Sequence, residues 1–290
     1  MPIDPDVALG AQLPAEDFSW SASDVLLYHL ALGAGGDPVD PRELRYTIED
    51  GLQVLPTFGV VAQTVHRFEP PAVEYPGISI DLAKVLHGTQ RVDVHQPLPV
   101  DGEARASARI TGVYDKGSAA VIETETVVSD LDGRPIWTNT SSIFARGEGG
   151  FGGDRGPSGP SGPPERAPDA VIVTPTAPQQ ALWYRLLGDR NPLHSHPEFA
   201  AKAGFARPIL HGLCTYGMVC KAVVDAELDS DVTLVGGYGV RFAGVVFPGE
   251  TLRTSVWRED GRLVLATTVD ERDGAPALSG AELVLAERVG

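Results

Sequence analysis

Two stretches of the chain alternate apolar and polar residues and are punctuated by glycine-containing turns. The first, residues 99–136, reads PVDGEARASARITGVYDKGSAAVIETETVVSDLDGRPI, and the second, residues 247–278, reads FPGETLRTSVWREDGRLVLATTVDERDGAPAL. Alternation with a period of two predicts strands, and the Gly and Asp-Gly positions between them predict hairpin turns. Each stretch therefore predicts an antiparallel meander.

An apolar segment precedes each meander. Ile209 to Leu228 is apolar on almost every face, which predicts a buried helix, and Pro208 suits the start of that helix. The corresponding run in the first half ends in LPTFG. A long buried helix wrapped by an antiparallel sheet is a hot-dog arrangement. The chain is therefore predicted to be α+β, a double hot dog with two antiparallel sheets, each wrapped round a long central helix.

A segment rich in Gly, Ser and Pro separates the two halves. It extends from Gly147 to Pro168 and cannot bury a core, so it is predicted to be an exposed linker. The predicted organisation is an N-terminal hot-dog domain over residues 1–147, a linker over 148–168 and a C-terminal hot-dog domain over 169–290.

Composition and charge narrow the range of partners. The formal net charge is −16, and a field of that sign repels phosphate backbones, so no nucleic-acid partner is expected. No apolar run approaches membrane-spanning length, and the acidic N-terminus does not match a secretory leader, so no membrane partner is expected either. Cys214 and Cys220 lie in the apolar helix segment and are interpreted as buried thiols, which favours a cytoplasmic location.

One short stretch concentrates side chains that can carry chemistry. GDRNPLH, residues 188–194, holds Asp189, Asn191 and His194 within six residues, and Pro192 stiffens the turn. An acid and an imidazole aimed at one point offer a proton acceptor and a proton donor near neutral pH. The same residue types also form ordinary turns, so the spacing alone leaves both interpretations open.

The first half lacks this constellation. GGDPVD occupies the place that corresponds to DRNPLH, so that Gly35 stands in the position of Asp189 and Asp40 in the position of His194. The asymmetry predicts a duplication followed by specialisation, with one active site per chain, in the second half.

The segment YRLLGDRNPLHSHPEFAAKAGFARPILHGLCTYG, residues 184–217, resembles the signature of the (R)-specific enoyl-CoA hydratases, the MaoC-like or type 2 hydratase family. The shared elements are an aromatic residue, Gly-Asp-x-Asn-Pro-Leu-His, Ala-x-x-x-Gly-Phe and a His-Gly pair ahead of the hot-dog helix. The first half, with LPTFG and LHGTQ, resembles the degenerate hot dog of the double-hot-dog members.

This resemblance implies a reversible hydro-lyase that adds water to trans-2-enoyl-CoA and yields (3R)-3-hydroxyacyl-CoA. Asp189 and His194 would activate the water and handle both protons, Asn191 would orient them, and the N–H group of Gly212 would bind the thioester oxygen. The implied acyl-CoA-binding residues are His87, Gly88, Lys116, Pro192, Leu193 and Phe242. Lys116 could equally be an exposed turn lysine, and Phe242 a packing residue. No metal and no bound cofactor are expected. The protein is expected to be a homodimer.

Three alternatives remain at this stage: an acyl-CoA thioesterase of hot-dog fold, a dehydratase of carrier-protein-bound acyl chains, and a non-catalytic acyl-CoA-binding subunit. Because the first half no longer needs its own catalytic contacts, its interior is predicted to open for a long or bulky acyl chain.

Overall fold

The computed structural model describes residues 3–157 and 162–287. The strands are β1 Glu16–Trp20, β2 Val73–Tyr75, β3 Ile78–Ile80, β4 Val85–Val94, β5 Gly102–Asp115, β6 Ala119–Ser129, β7 Pro135–Arg146, β8 Ala170–Pro175, β9 Val235–Phe242, β10 Thr251–Glu259, β11 Arg262–Val269 and β12 Ala275–Leu285. The α-helices are α1 Pro5–Ala8, α2 Ala22–Ala31, α3 Pro41–Thr47, α4 Gln180–Tyr184, α5 Pro197–Lys202 and α6 Gly212–Glu227. Short 3₁₀ helices cover Pro56–Val60, Leu82–Lys84, Arg185–Leu187, Pro192–His194, Val232–Leu234 and Asp270–Arg272.

The strands form one continuous ten-stranded antiparallel sheet, in the order β1-β5-β6-β7-β4-β9-β12-β11-β10-β8, beside a separate β2–β3 hairpin. The first five strands belong to the first half and the last five to the second, and the two sets mirror each other about the β4–β9 pair. The α+β double-hot-dog class is confirmed. The expectation of two separate sheets is wrong, because β4 and β9 pair over Thr89 to Asp93 and join the halves edge to edge.

The central helix α6 is confirmed but begins later than predicted. The helix starts at Gly212 rather than Ile209, because His211 is extended and Leu210 donates its N–H to the carbonyl of Val246 on the β9–β10 connection. Pro208 therefore precedes an extended segment rather than the first turn. The helix is buried along most of its length, and Cys214 and Cys220 are buried free thiols within it.

The first half has no equivalent of α6. Its LPTFG segment forms only the 3₁₀ helix Pro56–Val60, although a long central helix was predicted there. Gly59 in this segment packs so closely against the sheet that an added Cβ would lie 3.0 Å from the Trp137 ring. The predicted second long helix is thus replaced by a short segment pressed against the sheet.

The linker is anchored over its described N-terminal part. The Asp115 carboxylate, at the β5–β6 hairpin, accepts N–H groups from Gly117, Gly150 and Gly152, and these bonds lower its pKa to about 2. Residues 147–157 alternate between exposed and half-buried positions, so this part of the predicted linker is exposed but attached to the β5–β6 hairpin. Residues 158–161 of the predicted linker lie outside the described residues.

A partly buried ion cluster connects α6 to the first half. The Lys221 ammonium lies 2.8 Å from carboxylate oxygens of both Glu43, on α3, and Asp225, one turn further along α6. Tyr46 donates its hydroxyl to Asp225 at 2.9 Å. These contacts hold the second half's central helix against the first half. No helix in the described ranges is long and apolar enough to cross a membrane.

Candidate active site

The GDRNPLH turn is held in place by a close contact between the two halves. Gly188 has φ of +100°, and an added Cβ would lie 1.7 Å from the carbonyl oxygen of Thr64 in the first half. Only glycine fits, both for the left-handed backbone and for the space. The Thr64 hydroxyl donates to the Leu187 carbonyl at 3.4 Å. The first half therefore buttresses the start of the turn.

Two side-chain-to-backbone bonds shape the rest of the turn. Asp189 Oδ1 accepts the N–H of Asn191 at 3.1 Å, and Asn191 Oδ1 accepts the N–H of Leu193 at 3.0 Å. Pro192 then begins the single 3₁₀ turn that ends at His194. The interpretation as turn chemistry is thus also correct, and the same bonds leave the second oxygen of Asp189 facing His194.

The position of His194 is fixed by its Nδ1 atom. Nδ1 lies 2.9 Å from the carbonyl oxygen of Ile209, and a carbonyl only accepts, so Nδ1 carries the proton. The Nε2 atom, which bears the lone pair in the neutral ring, then lies 4.0 Å from Oδ2 of Asp189. The His194 side chain is 9% exposed and that of Asp189 36%. Burial lowers the pKa of His194, while the neighbouring Asp189 charge opposes that shift.

His211 completes the cluster and was given no role from the sequence. Its ring stacks on that of His194, with centroids 3.7 Å apart and 26° between the planes. Its Nε2 lies 3.3 Å from the backbone carbonyl of Asp189, so Nε2–H donates to the GDRNPLH turn. The residue is 1% exposed, and burial, assisted by the nearby His194, holds the pKa of His211 well below its usual range. A neutral imidazole thus contacts both members of the Asp–His pair.

Gly212 follows His211 directly and is the first residue of α6. The N–H groups of a helix's first turn have no acceptor within the helix, and the helix dipole makes this end positive. An added Cβ on Gly212 would lie 3.0 Å from the ring of Phe242, so glycine lets the helix start lie against that ring. This end of α6 is therefore suited to bind an oxygen on which negative charge develops.

These groups open into one cavity of about 290 Å³. The second half contributes Asp189, Asn191, Leu193, His194, Gly212 and Phe242. The first half contributes a mostly apolar wall that includes Tyr75, Leu82, Leu86, His87 and Ile143. The structure therefore brings together six of the predicted second-half residues with His87, and the site needs both halves.

His87 lies at the junction of the polar and apolar parts of the cavity. Its ring centroid is 4.7 Å from that of Phe242, and its Nε2 atom is buried without a hydrogen-bond partner. Burial lowers the pKa of His87 to about 4, and the charge of Asp189 acts in the opposite direction. His87 thus adds to the cavity wall an imidazole whose buried Nε2 has no hydrogen-bond partner among the described residues.

Three predicted binding residues lie outside the cavity wall. Gly88 sits at a bulge of β4, where an added Cβ would lie 2.7 Å from Ser142 Oγ, so its role here is packing. Pro192 shapes the turn. Lys116 donates to the backbone carbonyl of Arg155 and lies 5.7 Å from the centre of the Tyr114 ring. The proposed phosphate contact of Lys116 stays a prediction.

The Asp189, His194 and His211 group also contains residue types that bind metals. One ligand atom from each lies within 4.8 Å of the others. An imidazole lone pair lies in the plane of its ring. Two stacked rings therefore hold their lone pairs in two nearly parallel planes, and these lone pairs do not converge on one ion. One nitrogen of each ring is bound to a backbone carbonyl, which leaves one lone pair on each ring and is compatible with either role. The geometry fits proton transfer better than metal binding, and the expectation of no metal stays a prediction.

Each half of the chain matches a known family model. The MaoC like domain matches residues 160–276, and the MFE-2 hydratase 2 N-terminal domain matches residues 18–147. The chain is 63% identical to enoyl-CoA hydratase ChsH3 of Mycobacterium tuberculosis, over 98% of this chain and 99% of that protein. It is also 39% identical to the peroxisomal enoyl-CoA hydratase 2 of Arabidopsis thaliana, over 92% of this chain and 91% of that protein.

Among solved structures, a MaoC-like dehydratase from Phytophthora capsici superposes with a TM-score of 0.87 at 31% identity, covering 99% of both chains. Both family models match their own half of the molecule, and full-length relatives match both halves together. The chain therefore belongs to the MaoC-like, type 2 enoyl-CoA hydratase family, in its double-hot-dog form.

Proposed function

We propose that this protein is a (3R)-hydroxyacyl-CoA hydro-lyase, which reversibly adds water to trans-2-enoyl-CoA. The observation that carries the proposal is the placement of His194 Nε2 opposite the Asp189 carboxylate, beside the Gly212 end of α6, at one cavity. The names of the similar full-length proteins support the same reaction, and the match to the hydratase 2 domain supports the 3R product.

The chemistry follows from the two proton acceptors. A water molecule between Asp189 and His194 can donate one hydrogen bond to each, which aims its oxygen at C3 of the bound enoyl group. As the C3–O bond forms, the pair takes a proton from the water, and electrons move from the double bond to the thioester oxygen. That oxygen is stabilised at Gly212, and the pair returns a proton to C2, so its charge is restored.

The apolar wall supports a substrate with a substantial acyl tail. Tyr75, Leu82, Leu86 and Ile143 belong to the first half and line the cavity beside the catalytic groups. Burial of an aliphatic chain contributes about 0.8 kcal/mol per methylene group. We therefore infer that medium or longer enoyl chains are hydrated with a higher kcat/KM than a four-carbon chain.

The experiment is hydration of crotonyl-CoA and trans-2-decenoyl-CoA, followed by loss of enoyl-thioester absorbance and assignment of the C3 configuration. We expect the 3R product from both and a higher kcat/KM for decenoyl-CoA. Release of free CoA instead would support a thioesterase. Hydration only of a carrier-protein thioester would support the carrier-bound alternative, and no turnover of any of them would support a non-catalytic subunit.

We also propose a homodimer in the cytoplasm. Strand β8 is one edge of the ten-stranded sheet, and Val171 and Val173 on it are about half exposed, so a partner can cover them. The two buried free thiols, Cys214 and Cys220, suit a reducing compartment. Light scattering of the purified protein measures the oligomeric state, and a monomer would contradict the first proposal.

A further inference from the structure

A second cavity, of about 410 Å³, lies at the junction of the two halves. The first half contributes residues around Leu52–Pro56 and the segment that follows β4, including Val94, Gln96 and Leu98. The second half contributes the start of β9. None of the residues of the catalytic cavity lines it. It is a separate pocket, which we call the second pocket.

The central strand pair relates this pocket to the catalytic cavity. Arg91 on β4 lies opposite Gly239 on β9, and this is the middle one of the five residue pairs that join the two strands. We take it as the point about which a residue of β4 and a residue of β9 occupy equivalent positions. Counting three residues onward along each strand places Val94 where Phe242 stands. Counting four residues back places Val235 where His87 stands. Val94 and Val235 line the second pocket, as Phe242 and His87 line the catalytic cavity.

The segments that lead into α6 and into the 3₁₀ helix Pro56–Val60 show the same relation between the two pockets. Thr57-Phe58-Gly59 in the first half matches Thr215-Tyr216-Gly217 in α6. Counting back five and three residues from each Thr places Leu52 where Leu210 stands, and Val54 where Gly212 stands. Each of these four residues lines its own pocket. The second pocket therefore occupies the position of a second active site, related to the first by the internal duplication.

The groups that perform chemistry are missing from this position. Val54 carries a side chain where Gly212 has none, and the 3₁₀ helix begins only at Pro56, which has no N–H. Gly35 and Asp40 do not line the pocket. The Gly35 N–H donates to Glu43, and Asp40 caps α3. The pocket thus has neither the acid–imidazole pair nor the unpaired helix end.

A cavity is nevertheless present at this position. Its floor consists of buried apolar side chains, including Leu52, Val54, Leu98 and Val235. Its rim is exposed and polar, with His95, Gln96, Thr233 and Glu287. The rim side chains His95 and Gln96 are hydrogen-bonded within the protein, to Thr138 and Pro135. An apolar interior with an open polar mouth suits a chain whose polar head stays in solvent, and its volume lies in the range of small-molecule sites, about 300–1,000 Å³.

We propose that the second pocket binds an aliphatic acyl chain without transforming it. The class of ligand rests on the proposed function of the catalytic cavity, because the duplication gave both pockets the same apolar framework. The pocket keeps the part of that framework that receives a chain and lacks the part that activates water or a thioester.

The test is equilibrium dialysis with two saturated probes, decanoyl-CoA and decanoate, neither of which can be hydrated. Wild-type protein is expected to bind two equivalents of decanoyl-CoA per chain. Gln96→Trp places an indole at the exposed mouth, and Val235→Phe fills the floor, so each variant is expected to bind one equivalent. Gln179→Trp makes the same change at an exposed glutamine that lines neither cavity, and it should still bind two.

The outcomes separate the possibilities. Binding of decanoate at the second pocket would show that a free fatty acid suffices, and binding of decanoyl-CoA alone would identify the thioester as the source of the chain. One equivalent in wild-type protein that both pocket variants retain, or two equivalents in both pocket variants, would overturn the proposal. Displacement of the ligand from this pocket by CoA alone would also overturn it. Hydration of trans-2-decenoyl-CoA by the same samples tests the proposed function separately. If no hydration is seen but two equivalents of decanoyl-CoA bind, the proposed function is wrong and the proposal for the second pocket still holds.

Discussion

The two pockets of this molecule are built on corresponding positions of the same framework, yet only one of them is lined by the Asp189–His194 pair and by Gly212, the first residue of α6. The catalytic cavity has Gly212, His87 and Phe242 where the second pocket has Val54, Val235 and Val94. The comparison teaches that the fold determines where a cavity forms. A few side chains and one helix end determine whether that cavity can catalyse a reaction.

The two turns differ in the same way. In the second half, the Asp189 carboxylate faces an imidazole across 4.0 Å. In the first half, the carboxylate of Asp40 accepts the N–H of Arg42 and binds that arginine's guanidinium at 2.8 Å. The acid of the first half therefore stabilises a helix start, whereas the acid of the second half is free to act on a ligand.

The largest expected effect tests this difference directly. Asp189→Asn and His194→Gln remove a proton acceptor from the catalytic turn, and we expect kcat for enoyl-CoA hydration to fall by about 10²–10⁴-fold. Asp40→Asn is the matched control, because asparagine still caps a helix, and its kcat should be unchanged. An equal loss of kcat in Asp40→Asn would show that the first half takes part in the chemistry.

A smaller effect is expected at His211, a positioning residue. The same count from Thr57 places Gln53, and not a histidine, at the corresponding position of the second pocket. His211→Ala removes the ring that stacks on His194 and lets water in, and we expect kcat to fall about ten- to hundredfold. Water lessens the desolvation that lowers the pKa of His194, so this pKa should rise towards its ordinary value. The acid limb of the kcat/KM profile should then move to higher pH, with the greatest loss of activity below neutral pH.

His211→Phe separates the stacking contact from the hydrogen bond. A phenyl ring still covers His194 but cannot donate to the Asp189 carbonyl. We expect the acid limb to stay near its wild-type pH in this variant, while kcat falls less than in His211→Ala. A limb that moves equally in both variants would mean that stacking does not set the pKa of His194.

The smallest effect is expected at Lys116. Its ammonium group is bound to the Arg155 carbonyl, so we expect Lys116→Ala to leave the KM for decenoyl-CoA unchanged and to lower thermal stability slightly. A lysine that binds a CoA phosphate would behave differently, because the loss of a charged hydrogen bond raises KM about tenfold or more. Steady-state kinetics at low ionic strength distinguishes the two roles.

Much of the geometry of the GDRNPLH turn could be predicted from the sequence because its information is local. Asp189, Asn191 and His194 stand close along the chain, and Pro192 restricts the backbone between them, so their proximity needed no tertiary contact. The meanders were equally local, since alternation and turn residues determine hairpins. The duplication was visible because both halves repeat the same order of patterns.

What could not be predicted depends on contacts between distant residues. The stacking of His211 on His194 needs the extended segment before α6, and the need for glycine at position 188 comes from Thr64, in the other half. The union of the two sheets needs the β4–β9 pairing, which no local pattern encodes. The His-Gly pair ahead of the helix was a signal for His211. Its distance along the chain from His194 does not indicate that the two rings are in contact.

The β4–β9 pairing has a consequence for the synthesis of the chain. Strand β4 emerges from the ribosome long before β9, and at about 5–20 residues per second the wait is on the order of ten seconds. During that interval, one edge of β4 has no partner strand, and unpaired edges attract other chains. Arg91 and Asp93 lie on this strand at the positions later covered by β9, and they form an ion pair with each other at 2.7 Å. Charged side chains at an open edge disfavour wrong pairing, so we expect Arg91 and Asp93 to reduce the pairing of this edge with other chains while β9 is still absent.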